Sequence, residues 1–333
     1  MSTSDYVLLH GDALRGNSLD RNGTTACANN SEDWPIEVSM SCPERPLVPT
    51  ILFMNQVPGV DFTQDPPRIV RAVEDLILLR VPVVDSDVYD YFIYRPGGQR
   101  GPSLKLIPHT TTTFHDEDVG LLRRGEEHYN IAALVARRAG VYALHRFDSK
   151  TDKWSKDEVS VVEPQVSFPY GKEIPSKAER ILFHLTSTVI PIEGGTMGWV
   201  DLWRGILFCD VLRQDHTVPL CYISLSAPLN PDRKRQCSPR TSWDIAVVNG
   251  CIKYIEFKTH IRPGSVANGD FIADDWTAAT WSRKATSVKS LVKGSWQPGC
   301  KVCASQISAT LPERNRCNLS CCRSWSTIKA LLS

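Results

Sequence analysis

T-S-T-V-I-P-I-E-G-G-T-M-G-W-V-D-L-W-R-G-I-L-F-C-D-V-L, residues 186–212, is the stretch that decides the fold. Ser187 to Ile192 is rich in β-branched residues and predicts a strand. Gly194-Gly195 follows it, and glycine tolerates the positive φ of a tight turn. Gly198 to Trp203 predicts a second strand, with Trp199, Asp201 and Trp203 on one face and Val200 and Leu202 on the other. Arg204-Gly205 turns the chain again, Ile206 to Leu212 gives a third strand, and T-V-P-L-C-Y-I-S-L-S (217–226) gives a fourth. Four consecutive strands with short connections form a meander, the unit of a β-propeller blade. In such an arrangement each small sheet must be covered on both faces. Trp199 and Trp203 read as rings that bridge one sheet to the next. Asp201 between them needs a partner once buried, and a turn amide or Arg204 is the expected one.

The same grammar recurs elsewhere. G-V-Y-A-L-H-R-F-D-S-K-T-D-K-W-S-K-D-E-V-S-V-V (140–162) predicts a strand from Val141 to Phe147, a turn, and a return strand from Trp154. Asp148 and Ser149 start that turn because their side chains bond local backbone. Trp154 closes the hairpin and is placed to cover a seam between sheets. Ile131 to Ala136 adds a strand before it. S-W-D-I-A-V-V-N-G-C-I-K-Y-I-E-F-K (242–258) is a hairpin around Asn249-Gly250, a strong two-residue turn pair, and D-D-W-T-A-A-T-W-S (274–282) is a further strand. In the first half, strands are predicted at Ile36–Ser41, Thr50–Asn55, Arg68–Val73, Asp75–Val81, Tyr89–Tyr94 and Ser103–Ile107. Helical periodicity is weak throughout, and short helices are expected only near Val119–Arg124, near Lys177–Arg180 and in the tail. The fold class is therefore all-β: short antiparallel four-stranded meanders in a propeller-like arrangement, incomplete at the C-terminus on the expectation below.

The 333 residues are 42% hydrophobic and 23% charged, which suits a folded chain with a large core. Net charge is +1, but residues 282–333 hold nine Lys and Arg against one acid and the remainder is mildly acidic. No signal segment opens the sequence, and no run reaches the ~18 apolar residues of a membrane span. The expected compartment is the cytoplasm or nucleus, where thiols stay reduced. Of the 11 cysteines, Cys209, Cys221 and Cys251 lie in apolar strand runs as small hydrophobes.

Several further pieces appear in one order: D-L-I-L-L-R-V (75–81), D-Y-F-I-Y-R (90–95), F-H-D-E-D-V-G-L-L-R-R-G (114–125), Y-N-I-A-A-L-V (129–135), L-H-R-F-D-S-K-T-D-K-W (144–154), I-A-V-V-N-G-C-I-K-Y-I-E (245–256) and W-T-A-A-T-W-S (276–282). Together with G-G-T-M-G-W-V-D-L-W-R-G-I-L-F-C-D-V-L (194–212), they resemble a grass-expanded plant family known only as a domain of unknown function, DUF1618. The resemblance spans about residues 34–303. It implies no assigned activity. It implies a distant likeness to the β-propeller domains that follow F-boxes in plant ubiquitin-ligase receptors, although too little chain precedes Trp34 for an F-box. The expected organisation is a polar, loop-like segment at 1–33, one β domain at 34–303 and an atypical basic Cys/Ser-rich tail at 304–333, consistent with a truncated or mis-spliced product.

Chemistry-bearing patterns are sparse. Cys300, Cys303, Cys317 and Cys321 have a spacing compatible with tetrahedral zinc, set against the strand expected at Cys300–Cys303 and the adjacent Cys321-Cys322 pair. His115, Asp116 and Asp118 could serve metal or acid–base chemistry, but three acids ahead of V-G-L-L-R-R-G read better as the start of a helix. No phosphate-binding glycine loop, nucleophile elbow or H-E-x-x-H is present, so no cofactor is expected. The basic tail and R-K-R (233–235) offer charge for nucleic acid, yet lack aromatic interleaving and a recognised binding fold. The reading is a non-enzymatic protein-interaction module whose partner is another protein, with no membrane contact. A hydrolase or lyase using His115, Asp116 and Asp118, and a nucleic-acid binder using the tail, are the alternatives.

Overall fold

The computed structural model describes residues 9–16, 20–41, 49–55, 62–83, 88–97, 101–110, 112–138, 140–161, 184–213, 218–226, 239–261 and 273–303. Among these, the strands form five four-stranded sheets. The first holds β1 (Leu14–Arg15), β2 (Ala26–Asn29), β3 (Pro35–Met40) and β4 (Leu52–Met54). The second holds β5 (Arg68–Val73), β6 (Leu76–Pro82), β7 (Tyr89–Arg95) and β8 (Ser103–Ile107). The third holds β9 (Val119–Arg124), β10 (His128–Arg138), β11 (Val141–Asp148) and β12 (Lys153–Ser160). The fourth holds β13 (Thr188–Ile192), β14 (Thr196–Asp201), β15 (Gly205–Asp210) and β16 (Cys221–Ser224). The fifth holds β17 (Trp243–Val248), β18 (Cys251–Ile261), β19 (Ala273–Lys284) and β20 (Gln297–Cys303). Four of the sheets are simple meanders; in the first, β1 runs parallel beside β4.

Glycine and asparagine set the turns. Gly194 and Gly195 have φ of 72° and 83°, and Asn249 and Gly250 have 51° and 69°. Two successive positive φ values match the twist of flanking strands, which is why N-G closes the β17–β18 hairpin. Gly205 is required for a different reason. A Cβ there would overlap the Ile223 carbonyl oxygen and stand 2.5 Å from the Tyr222 hydroxyl.

By compactness the described residues divide into two units: residues up to 133 with 145–156, and 134–144 with those from 157 onward. The core of the first unit interleaves two sheets. Ile36, Val38, Leu52 and Met54 meet Ile77, Leu79, Val81, Phe92 and Tyr94, all fully or nearly fully buried. The Tyr94 hydroxyl leaves that core by donating to the Thr24 carbonyl at 2.7 Å. In the second unit, Ile190, Val200, Ile206 and Phe208 of the fourth sheet pack with Trp243, Ile245, Ile252 and Tyr254 of the fifth. Leu291 joins them from α1 (Val288–Lys293), whose Ser287 and Ser290 form a reciprocal N-terminal cap.

Three expectations need correction. Val119–Arg124 is strand β9, not helix. It pairs antiparallel with 128–133 and buries four consecutive residues, because Val119, Gly120, Leu121 and Leu122 lie under cover on both faces. The acids ahead of it form only a single 3₁₀ turn, Asp116–Asp118, with no side-chain cap. Trp203 does not share a strand face with Trp199. Strand β14 ends at Asp201, residues 202–204 are a turn, and Trp203 packs with the Val200 and Leu202 side. Strand β2 also lies within the segment read as loop-like, pairing with β3 from Ala26 to Asn29. The helix expected near Lys177–Arg180, the basic run 233–235 and the tail 304–333 lie outside the described residues. Among the described residues no helix is long and apolar enough to cross a membrane.

Candidate functional site

In the first unit, alternation along β7 divides its side chains. Asp90, Phe92 and Tyr94 are buried, the latter two in the core shared by the first two sheets. Tyr89 and Tyr91 therefore face the other way, where Tyr91 stands opposite Arg80 of β6 and Ile107 of β8. Residues 108–110 and 112–114 of the connection after β8 line this face. The result is a cavity of about 230 Å³ lined by Val88, Tyr89, Tyr91, Ile107, His109, Trp154 and neighbouring residues of that connection. Trp154 of β12 closes one wall. Its indole N–H donates to the Pro108 carbonyl at 2.7 Å, and its ring lies 5.7 Å from Phe114 and 5.5 Å from Phe147. The sequence places Trp154 at a seam, and here it covers one, between β12 and the end of β8.

One polar chain reaches the cavity. His109 Nε2 lies 2.7 Å from Asp90 Oδ1, and Asp90 is 1% exposed. The other oxygen, Oδ2, accepts from the Ser31 amide and hydroxyl, each at 3.0 Å. Oδ2 is thus hydrogen-bonded twice, while Oδ1 has the His109 contact but no aligned hydrogen bond among the described residues. The His109 side chain is 42% exposed. Ser31, Asp90 and His109 come from three separate connections and strands, and no local motif joins them.

Behind Tyr89 sits a cationic post. Arg80 lies 4.1 Å from the Tyr89 ring centre and bonds Asp65 and Asp116, each at 3.2 Å. Burial pushes the Asp116 carboxyl up, against the opposing pull of Arg80. Burial also raises the Tyr91 hydroxyl, reinforced by the Asp116 charge, so Tyr91 stays a neutral phenol. Asp116 Oδ1 and Arg80 Nε are buried without a hydrogen-bond partner among the described residues. Buried orphans of this kind are commonly bridged by an ordered water. Of the three residues considered for chemistry in H-D-E-D, Asp116 serves Arg80, His115 is exposed, and the Asp118 amide donates to the His115 carbonyl within the 3₁₀ turn.

The remaining sequence-derived residues are structural. Asp201 is 1% exposed and accepts from the Trp203 amide at 2.9 Å, the Leu185 amide at 3.2 Å and Arg204 Nη1 at 2.8 Å. Trp199 is fully buried, and Trp203 meets Trp243 edge-on at 4.4 Å, joining fourth and fifth sheets. Beside Asp201, the His184 imidazole is driven down to about 4 by burial, with the Asp201 charge opposing that shift. Asp148 Oδ1 accepts from the Lys150 amide at 2.9 Å, holding the β11–β12 turn. Cys300 is exposed on β20 and Cys303 lies 3.6 Å from the Thr277 hydroxyl, while Cys317 and Cys321 lie outside the described residues. Among the described residues no group of three or more His, Cys, Asp or Glu is arranged to hold a metal.

Sequence reasoning placed Trp154 but missed His109, Asp90 and the threonine run. Isolated histidines carry no signal without their partners. The alternation Y-D-Y, one acid between two tyrosines on a strand, was the available hint that a carboxylate faces the core.

A family model described as "Protein of unknown function (DUF1618)" matches residues 199–330. No curated protein and no solved structure matches the chain.

Proposed function

We propose, for a chain whose residues 199–330 match the DUF1618 family model, a role as a non-enzymatic recognition module. The first unit anchors one side chain of a partner protein in the cavity beside Trp154. The observation that carries this reading is the cavity itself: about 230 Å³, walled by Tyr89, Tyr91, Phe114 and Trp154, with His109, which contacts Asp90, among its polar lining groups. Its volume is below the ~300–1,000 Å³ common for drug-sized ligands and cofactors. It suits a single large side chain, the kind of anchor that dominates protein interfaces. Catalysis is less well supported. The Ser31 hydroxyl is spent on Asp90 rather than on the imidazole, and Asp116 is spent on Arg80.

The test is selection from a displayed random-peptide library against the full chain. Thr112→Trp, which puts an indole into the cavity, serves as the blocked bait. A shared motif that binds the wild type and loses at least about tenfold affinity on the blocked chain, about 1.4 kcal/mol, supports the module. Enriched peptides that bind both baits equally would refute the site.

A further inference from the structure

We infer that the cavity takes an aromatic side chain of the partner, selecting a flat neutral ring over an aliphatic group of the same size and over a cation. The inference deepens the recognition reading above and rests on it.

The walls carry the argument. Tyr89, Tyr91, Phe114 and Trp154 bring four rings to one space of about 230 Å³. Three of these rings are held by contacts within the protein itself. The Trp154 indole N–H is tied to the Pro108 carbonyl at 2.7 Å, and the ring meets Phe147 at 5.5 Å. Phe114 meets Trp154 at 5.7 Å and His145 edge-on at 5.2 Å. Arg80 lies 4.1 Å from the centre of the Tyr89 ring and is itself bonded to Asp65 and Asp116. Rings braced in this way cost little to order when a guest arrives. Burial of apolar area rewards any hydrophobe that fits. Edge-on and offset ring contacts add a further gain that only an aromatic guest collects. The Thr110, Thr112 and Thr113 hydroxyls donate or accept, so phenyl, phenol and indole all remain within the class.

Aromatic walls also hold cations, and two observations favour the neutral ring. The Tyr89 ring already carries the Arg80 guanidinium. Among the described residues no Asp or Glu lines the cavity to neutralise an incoming charge, and a charge buried without a partner is costly.

The experiment is an NMR titration of the full-length protein with benzyl alcohol and cyclohexylmethanol. The two share one hydroxymethyl group and differ only in the ring, so hydrogen bonding is matched. The saturated ring has the larger apolar area, and burial alone therefore favours it. The inference predicts the opposite order, with benzyl alcohol tighter by about two- to tenfold, the worth of a ring–ring contact. 3-Methylindole binds as well, and tetramethylammonium, at matched ionic strength, binds more weakly than benzyl alcohol. Phe114→Leu and Tyr91→Leu each remove one ring from the wall, and in each the preference for benzyl alcohol shrinks while binding persists. Equal binding of the two alcohols, or the order set by area, with both blocked by Thr112→Trp, would overturn the inference and leave the cavity as an unselective apolar anchor. Tetramethylammonium binding tighter than benzyl alcohol and lost in Thr112→Trp would overturn it in favour of a cation cage, and a preference undiminished in both leucine variants would remove it from these walls. Failure of benzyl alcohol and 3-methylindole to bind, or binding undiminished in Thr112→Trp, would overturn the recognition site itself.

Discussion

Asp201 makes the sharpest stability prediction. Replacing it with alanine removes the acceptor of two backbone amides and the counter-charge of Arg204, whose side chain is 20% exposed. An unsatisfied buried donor costs about 1–3 kcal/mol. Removing one partner of a buried ion pair costs about 3–5 kcal/mol. Leu185 is 71% exposed, so water replaces part of its lost bond. Arg204 also keeps some solvent. The expected cost of Asp201→Ala is therefore about 3 kcal/mol, set mainly by Trp203 and Arg204. Asp201→Asn keeps one oxygen for the Trp203 amide and should cost about half as much. The assay is urea unfolding of the full chain, followed by tryptophan fluorescence and circular dichroism together, because two compact units need not unfold as one. A lowered midpoint with an unchanged slope identifies a stability effect. The pair Asp201→Ala with Arg204→Leu should cost less than the two single changes added, because each single change alone already breaks the Asp201–Arg204 contact. A cost below about 1 kcal/mol for Asp201→Ala, or strict additivity in the cycle, would refute the account of this node.

Further outcomes follow from the same packing. Gly205→Ala should destabilise by at least the ~1–3 kcal/mol of overpacking, since its Cβ meets backbone at Ile223, whereas Gly97→Ala, with open space around it, should leave the melting temperature nearly unchanged. Stability should fall between about pH 6.5 and 4 because His184 stays neutral in the fold down to about 4 while the unfolded chain binds the proton first. The unfolded state holds more protons in that window, so the loss grows as pH drops, to at most about 3 kcal/mol, and His184→Gln should flatten that part of a melting-temperature profile. Trp154→Ala should cost about 3–5 kcal/mol at most, less for its partial exposure, and should abolish binding of 3-methylindole measured by the same NMR titration.

Most of the strand order was legible because the signals are local. Glycine pairs and N-G need only their own backbone to turn the chain, and the β-branched runs between them need only period-two burial. What failed was context. V-G-L-L-R-R reads as a helix when no partner is known, yet pairing with β10 and cover on both faces make it a strand. Trp203 misplaced itself because the strand stops at Asp201, which uses its carboxylate to cap the turn rather than to continue the alternation. The cavity was illegible for a stronger reason. It brings together Ser31, Asp90 and His109 from separate parts of two sheets, and no spacing rule connects them. Trp154 was visible only as a large ring at a seam, not as the wall of a site.

The central claim is that the first unit holds a cavity that binds an aromatic side chain, and methyl-resolved NMR of the full-length protein with 3-methylindole tests it most directly. The account predicts saturable shifts at the methyl groups of Val88, Ile107, Thr110, Thr112 and Thr113, with Ile190, Ile206 and Ile252 of the second unit unmoved. Shifts centred on the second unit, or none at Ile107 and the threonines at saturating probe, would contradict it.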